Sequence, residues 1–374
     1  MEPITHFLTG ACIGRAGFNR KTIYATLAAT LAAEAADMDV VWGFAGPVEE
    51  LKHHRGITHT FIAVPVVAAV ITGLVWFWHR WRRRRSGNKP GAGSAESDLP
   101  VSRRAPPVRW LWVYCTAFVA AASHILLDWT NNYGVRPFFP FNPRWYEGSF
   151  VFIAEPVLWV LLFSALIIPW LLGLADSEIG ARRTPFRGRG WAIFALCGMV
   201  VVWCGRWAEH AQAQSMLENT QITSAPILRM ALEPYPVNPF RWHAILETQG
   251  FYQFAEVNTR AGTIDSEAPR DVLYKPTDTP SVEAAKRTRL GRVYLDWGRW
   301  AVLRDVGQYP VGDIAPPQLP PGRTWTTVEF SDLRFAYAFR GEGRQSGSST
   351  LGGWVYIVDG HEEAAEGMGN REQK

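Results

Sequence analysis

Apolar residues dominate the first two hundred positions in long unbroken runs, at 61–78 (FIAVPVVAAVITGLVWFW), 110–128 (WLWVYCTAFVAAASHILLD), 152–175 (FIAEPVLWVLLFSALIIPWLLGLA) and 191–207 (WAIFALCGMVVVWCGRW). Each approaches the roughly 20 mainly apolar residues that a helix needs to cross a bilayer. Four such runs in succession predict spanning helices and not the buried helices of a soluble core. Beyond about residue 225 the period falls to two. "WHAILETQGFYQFAEVNT", "TWTTVEFSDLRFAYAF" and "GWVYIVD" alternate as strands do, separated by Gly, Pro and Asp turns, with irregular Pro-rich connections around 265–325. The predicted fold class is mainly α: a polytopic helical membrane domain (1–210), then a small antiparallel β domain outside the membrane (211–365) and a disordered tail (366–374).

The first 45 residues fit neither pattern. "KTIYATLAATLAAEAADMDVVWGF" is apolar and Ala-rich, but Glu34, Asp37 and Asp39 interrupt it. An Asp near the centre of a spanning helix costs about 2.5–3.5 kcal/mol, so these carboxylates belong at an end. Gly14, Gly17 and Asn19 mark a break. The prediction is a helical hairpin, roughly residues 4–15 and 21–37, that returns His6 to the neighbourhood of Asp37 and Asp39. Arms of this length reach only about 18–25 Å, which suits a re-entrant or tilted pair. The N-terminus lacks the basic start, apolar core and cleavage site of a secretory signal and is expected to stay in the mature chain.

Composition sharpens the membrane reading. Many of the 18 Trp lie near the ends of apolar runs, where amphipathic rings sit in a bilayer. The four cysteines (Cys12, Cys115, Cys197, Cys204) fall in apolar segments without a CxxC, so neither a disulfide framework nor a thiolate zinc site is indicated, and buried small hydrophobes are expected. The segment 79–109 begins "HRWRRRRSGNK", and 176–190 holds Arg182, Arg183, Arg187 and Arg189; both are expected in the cytoplasm. These charges read as a topology signal and not as a nucleic-acid surface. Residues 86–107 read as a flexible linker. The same orientation gathers His59, Asp128, Glu155, Glu209 and His210 at the outer helix ends and sends the β domain to the periplasm of an inner-membrane protein.

Four polar groupings in the membrane half carry candidate chemistry. In "SHILLD", His124 and Asp128 are four apart and project from one helix face. They can share a divalent cation, or the carboxylate can orient the histidine, or the pair can join two helices by a hydrogen bond. In "ADMD", Asp37 and Asp39 would diverge on a helix. The motif works where a helix ends and the chain extends, as a polar stop or as one oxygen for each of two ions. "HHRGITH" places His54 and His59 about Gly56, which allows a positive φ, and Arg55 can grip an anionic oxygen in bidentate fashion. The fourth is "ITH" with His6. Histidine plus aspartate without cysteine is the donor set of a zinc or manganese hydrolytic site.

The series TH, D-x-D, HRG-x-TH and SH-x-x-x-D, followed by "NNYGVRPFFPF", resembles the YdjM-like membrane-bound metal-dependent hydrolases, also described as LexA-binding and inner-membrane-associated, and is distantly similar to zinc-dependent phospholipase C. The resemblance covers about residues 1–160, and "YPVNPFRWHAILET" suggests longer members of that family. It implies His6, Asp37, Asp39, His54, His59, His124 and Asp128 as ligands to one or more ions, most readily Zn with Mn as the alternative. Ala36 stands where the family has a proline, which loosens the turn without removing a ligand. Glu155 is a secondary candidate, while His53 and His79 read as a neighbour and a snorkelling helix end.

The expected activity is hydrolysis of a phosphoester or related bond in a lipid or membrane-embedded substrate. Metal-activated water is the nucleophile, Arg55 stabilises the anionic transition state, and Asp37, Asp39 or Asp128 acts as base wherever it is not engaged by metal. The alternatives are a non-catalytic module stapled by metal and an ion- or proton-coupled transporter. No inverted repeat between 61–128 and 152–207 supports the transporter. No other cofactor and no nucleic-acid partner is expected, and the oligomeric state is not fixed by the sequence.

Overall fold

The computed structural model describes residues 1–86, 106–178, 188–267, 270–311, 317–336 and 351–369. Most of the expected basic linker, Arg182, Arg183, Arg187 and the last residues of the tail lie outside these. The chain divides into two compact units, Met1–Asp39 with Arg55–Trp207, and Val40–His54 with Ala208–Lys374. The stretch from Val40 to His54 thus belongs with the C-terminal unit, although the sequence reading kept it in the membrane domain.

The first unit is helical. Helices α1 (Pro3–Ala16) and α2 (Ala25–Glu34) form the expected hairpin. Their close approach follows from small residues. A Cβ on Gly10 would lie 2.7 Å from the Ala29 carbonyl oxygen, and one on Gly14 would lie 2.5 Å from Thr26 Cα. Glycines four apart facing an alanine row allow backbones to touch, which is how helices associate where no water drives them together. The short α3 (Pro47–His53) belongs to the other unit. Four longer helices follow: α4 (Ala63–Ser86), α5 (Trp110–Thr130), α6 (Pro156–Glu178) and α7 (Arg189–Glu218). Among the described residues these are the helices long and apolar enough to cross a membrane.

Small side chains also set the packing around the hairpin. Ala28, Ala29, Ala32 and Ala33 of α2 meet Val64 and Ala68 of α4 and Ala117, Ala120 and Ala121 of α5. On the other side, Leu8 and Cys12 of α1 pack with Leu162 and Ala165 of α6 and Ala192 and Ala195 of α7. The cysteines correct one expectation. Cys12 is buried and Cys115 half-buried, but Cys197 and Cys204 are exposed, because a spanning helix is as apolar on its lipid side as on its protein side.

Two connections hold the site in place. After Glu34 the chain tightens into a 3-10 run, Ala35–Ala45, and does not extend as expected, so Asp37 and Asp39 ride on a narrow helical turn. The segment after α5 folds back on its own helix end, where Phe150 N and Val151 N both donate to the Thr130 carbonyl at 3.1 Å. Phe61 N donates to the Pro137 carbonyl at 2.9 Å, fixing the histidine loop to this segment.

Among the described residues the second unit carries nine strands in two antiparallel sheets. The first sheet has the order β1 (Arg229–Pro234), β2 (Arg241–Glu247), β3 (Phe251–Asn258), β4 (Thr263–Asp265), with β5 (Val272–Tyr274) also on β3. The second runs β6 (Ala301–Asp305), β7 (Trp325–Asp332), β8 (Gly353–Val358), β9 (Glu362–Met368). Ile245, Tyr252 and Phe254 of the first sheet pack with Val302 of the second and with Trp300 and Leu333 beside its strand ends.

Three local expectations change in this unit. The supposedly irregular 265–325 stretch holds α8 (Pro280–Arg287) and α9 (Arg289–Trp297), because Thr279 and Thr288 accept from Val282 N and Gly291 N as N-caps. Strand β7 stops at Asp332, whose carboxylate caps a short 3-10 turn, Leu333–Phe335. Residues 366–368, assigned to the tail, finish β9, where pairing with β8 satisfies a backbone that is polar in sequence.

Candidate metal centre

Four side chains converge inside the helical unit. The ligand atoms of Asp37, His59, His124 and Asp128 all lie within 4.8 Å of one another. His59 and His124 face each other with Nε2 atoms 3.0 Å apart. Asp37 Oδ1 lies 3.3 Å from His59 Nε2 and 3.5 Å from His124 Nε2, and Asp128 Oδ2 lies 3.3 and 3.2 Å from the same atoms. A tetrahedral ion with bonds of about 2.0–2.1 Å separates its ligand atoms by about 3.3–3.4 Å. Five of the six spacings, at 3.0–3.5 Å, bracket that value, and the sixth, between the Asp37 and Asp128 oxygens, lies within 4.8 Å.

The far side of each imidazole explains why its Nε2 points inward. His124 Nδ1 donates to the Ala33 carbonyl at 2.6 Å. A carbonyl only accepts, so Nδ1 carries the proton and Nε2 of the neutral ring presents its lone pair. His59 Nδ1 lies 3.3 Å from Asp39 Oδ2, which also accepts from Arg55 N at 2.9 Å and Thr58 Oγ1 at 3.2 Å. An imidazole held at one nitrogen by a carbonyl or carboxylate is the usual support of a metal ligand. Asp39, expected as a ligand, thus stands behind His59.

Arg55 is also placed differently from the expectation that it grips a substrate oxygen. Its guanidinium is buried, with Nη2 2.8 Å from Asp128 Oδ1 and Nη1 donating to Asn131 Oδ1 (3.3 Å) and the Gly134 carbonyl (2.8 Å). It lies 4.6 Å over the Tyr133 ring. The positive φ of the loop falls on Arg55 (52°) and not on Gly56 (−80°). A non-glycine residue keeps that conformation only where its surroundings over-determine it, and the Asp39 and Asp128 contacts do so.

His6 stacks on His124, with ring centroids 3.8 Å apart, and its Nε2 lies 3.4 Å from Asp128 Oδ1. The Met1 amino group also contacts Asp128. Both ring nitrogens of His6, together with Asp37 Oδ2 and Asp128 Oδ2, are buried and make no hydrogen bond. Buried polar atoms left without partners mark a place where a ligand or ion belongs. His54 does not join the group; it caps α3 in the other unit, where His53 stacks on Trp42 at 4.1 Å. Glu155 pairs with Arg206, a partner the sequence reading missed although a lone Arg in the apolar "WCGRW" run signals it.

Charge in the group is strongly coupled. Burial would raise the Asp37 carboxyl, but His59 and the neighbouring imidazoles outweigh it and hold it at about 2. Burial would lower His59, yet the carboxylates of Asp128, Asp37 and Asp39 raise it to about 10. Burial first, then the adjacent His124, takes His6 down to about 3. Without an ion, a His59 imidazolium supplies the cation these carboxylates require. The donor set therefore fits a divalent metal: two imidazole nitrogens and two carboxylate oxygens around a point that demands positive charge.

A family model for the YdjM inner membrane protein matches residues 1–213, which carry every member of this group. The chain belongs to the YdjM inner membrane protein family. The chain is also 23% identical over 181 residues to the uncharacterized protein YfhP of Bacillus subtilis, covering 46% of this chain and 47% of that one. It thus spans about half the length of that relative. No solved structure matches the chain.

Proposed function

We propose that this inner-membrane protein is a metal-dependent hydrolase acting on a phosphoester or related bond of a lipid or other membrane-embedded substrate. The observation that carries the reading is the convergence of two Nδ1-anchored imidazoles and two carboxylates, with all four ligand atoms within 4.8 Å of one another. Asp37, His59, His124 and Asp128 would hold the ion, with Zn the first candidate and Mn the second. When bound, such an ion polarises a phosphoryl oxygen and acidifies water near neutral pH. The chain's own residues do the rest. Asp39 orients His59, and Arg55 holds Asp128 by its Oδ1, leaving Oδ2 toward His59 and His124, where it would help to hold an ion. Asp37 is the one partly exposed side chain of the group, at 18%, and its Oδ2, buried and without a hydrogen bond, would be the proton acceptor if Oδ1 held the ion.

The basic end of α4 and the positive-inside bias support a cytoplasmic 79–109 segment. Four crossings then carry residues after about 210 to the periplasm, where the β unit would recognise a polar headgroup or a partner.

One observation favours a second reading. Four protein ligands already fill a tetrahedral shell, as in structural sites, whereas catalytic sites keep a position open. Metal-loaded protein assayed against a panel of lipid phosphoesters, beside His124→Ala, separates the two. Turnover lost in the variant supports the hydrolase. Bound metal without turnover on any substrate removes the enzyme and leaves a metal staple.

A further inference from the structure

A second feature lies at the basic end of α4, among residues the metal centre does not use. Trp76, His79, Arg80, Arg83 and Arg84 of α4, with Trp110 of α5, line a cavity of about 460 Å³. Positions 76, 80, 83 and 84 fall at the i, i+4, i+7, i+8 spacing of one helix face. The other two arginines of the run are turned away and engaged, Arg82 over Trp78 at 4.9 Å and Arg85 over Trp81 at 4.1 Å. The cavity wall is braced: His79 Nδ1 meets Tyr24 OH at 2.8 Å, and its ring sits edge-on to Trp110 at 5.7 Å. Among the described residues no carboxylate lines it, and its volume lies in the range of small-molecule sites.

We propose that this cavity binds the phosphate of an anionic membrane lipid. Arginine suits phosphate through its planar fork of donors, and basic pockets between spanning helices are where anionic headgroups seat. A lipid is favoured over free phosphate by position. The cavity lies at the end of a candidate span, flanked by two Trp, and Val70, Leu74 and Phe77 are exposed on the same helix to meet acyl chains.

The test is native mass spectrometry of the full chain in detergent, titrated with phosphatidylglycerol, phosphatidylcholine or inorganic phosphate. Arg83→Gln/Arg84→Gln should weaken phosphatidylglycerol binding about 10-fold or more. Arg82→Gln/Arg85→Gln, the same charge change outside the cavity, should leave it within about 3-fold, and phosphatidylcholine should bind weakly throughout. Matching melting temperatures confirm that both variants fold. Equal losses in the two variants, or none in either, would overturn the site. Displacement of the lipid by inorganic phosphate at matched concentration would overturn the lipid as its ligand.

Discussion

Asp39 Oδ2 sits 3.3 Å behind Nδ1 of His59, while Nε2 of the same ring faces Asp128 Oδ2 at 3.3 Å. The imidazole is therefore fixed from one side and offered on the other. Asp39→Asn keeps the size but loses the charge that aligns the ring. Metal affinity in the variant, measured by competition with a chelator, should fall about 10–100-fold with the fold intact. Unchanged affinity would mean that Asp39 does not position His59.

Arg55 holds Asp128 in a buried pair, so its removal leaves a buried carboxylate without its main cation. Arg55→Gln should destabilise the helical unit by about 3–5 kcal/mol in denaturant unfolding. Arg55→Lys should recover only part of this, since an ammonium cannot reach Asp128, Asn131 and the Gly134 carbonyl as a fork does.

The hairpin glycines set the position of His6 on α1 and of the Ala33 carbonyl on α2. Gly14→Ala drives a Cβ into Thr26 and should cost about 1–3 kcal/mol while weakening metal binding. Gly73→Ala on α4 meets open space and should be neutral or slightly stabilising, reporting that hairpin contact and not helix propensity is responsible.

In the β unit, burial would raise the Glu247 carboxyl, but Lys275 at 2.6 Å and Arg229 outweigh it and lower it. A depressed folded pKa contributes stability that is full above the unfolded value of about 4.3 and fades as pH falls through the folded one. Melting temperature should therefore decline on acidification below about pH 5, and Glu247→Gln should decline less steeply over the same range. A variant with an unaltered slope would show that this carboxylate does not contribute to the acid limb.

Much of this architecture is legible in the chain because hydropathy period reports it directly: four apolar runs became α4 to α7, and period-two stretches became strands. The hairpin was legible from its interrupting carboxylates. The four residues of the cluster, His59, His124, Asp37 and Asp128, also stand in motifs visible in the sequence. Which nitrogen each imidazole offers was not legible, because that depends on Asp39 and the Ala33 carbonyl, which the packing of α2 on α5 brings into place. The direction of Arg55 was equally hidden, being set by a backbone turn with φ of 52°. Helices α8 and α9 were missed because the Pro-rich flanks drew attention from Thr279 and Thr288, whose local N-caps start them.

The account turns on whether this group holds a metal. Elemental analysis of the purified full chain should give about one divalent metal per protein or more, and His59→Ala/His124→Ala should lose it while remaining folded. A wild-type chain without metal, or a double variant that retains it undiminished, would contradict the assignment.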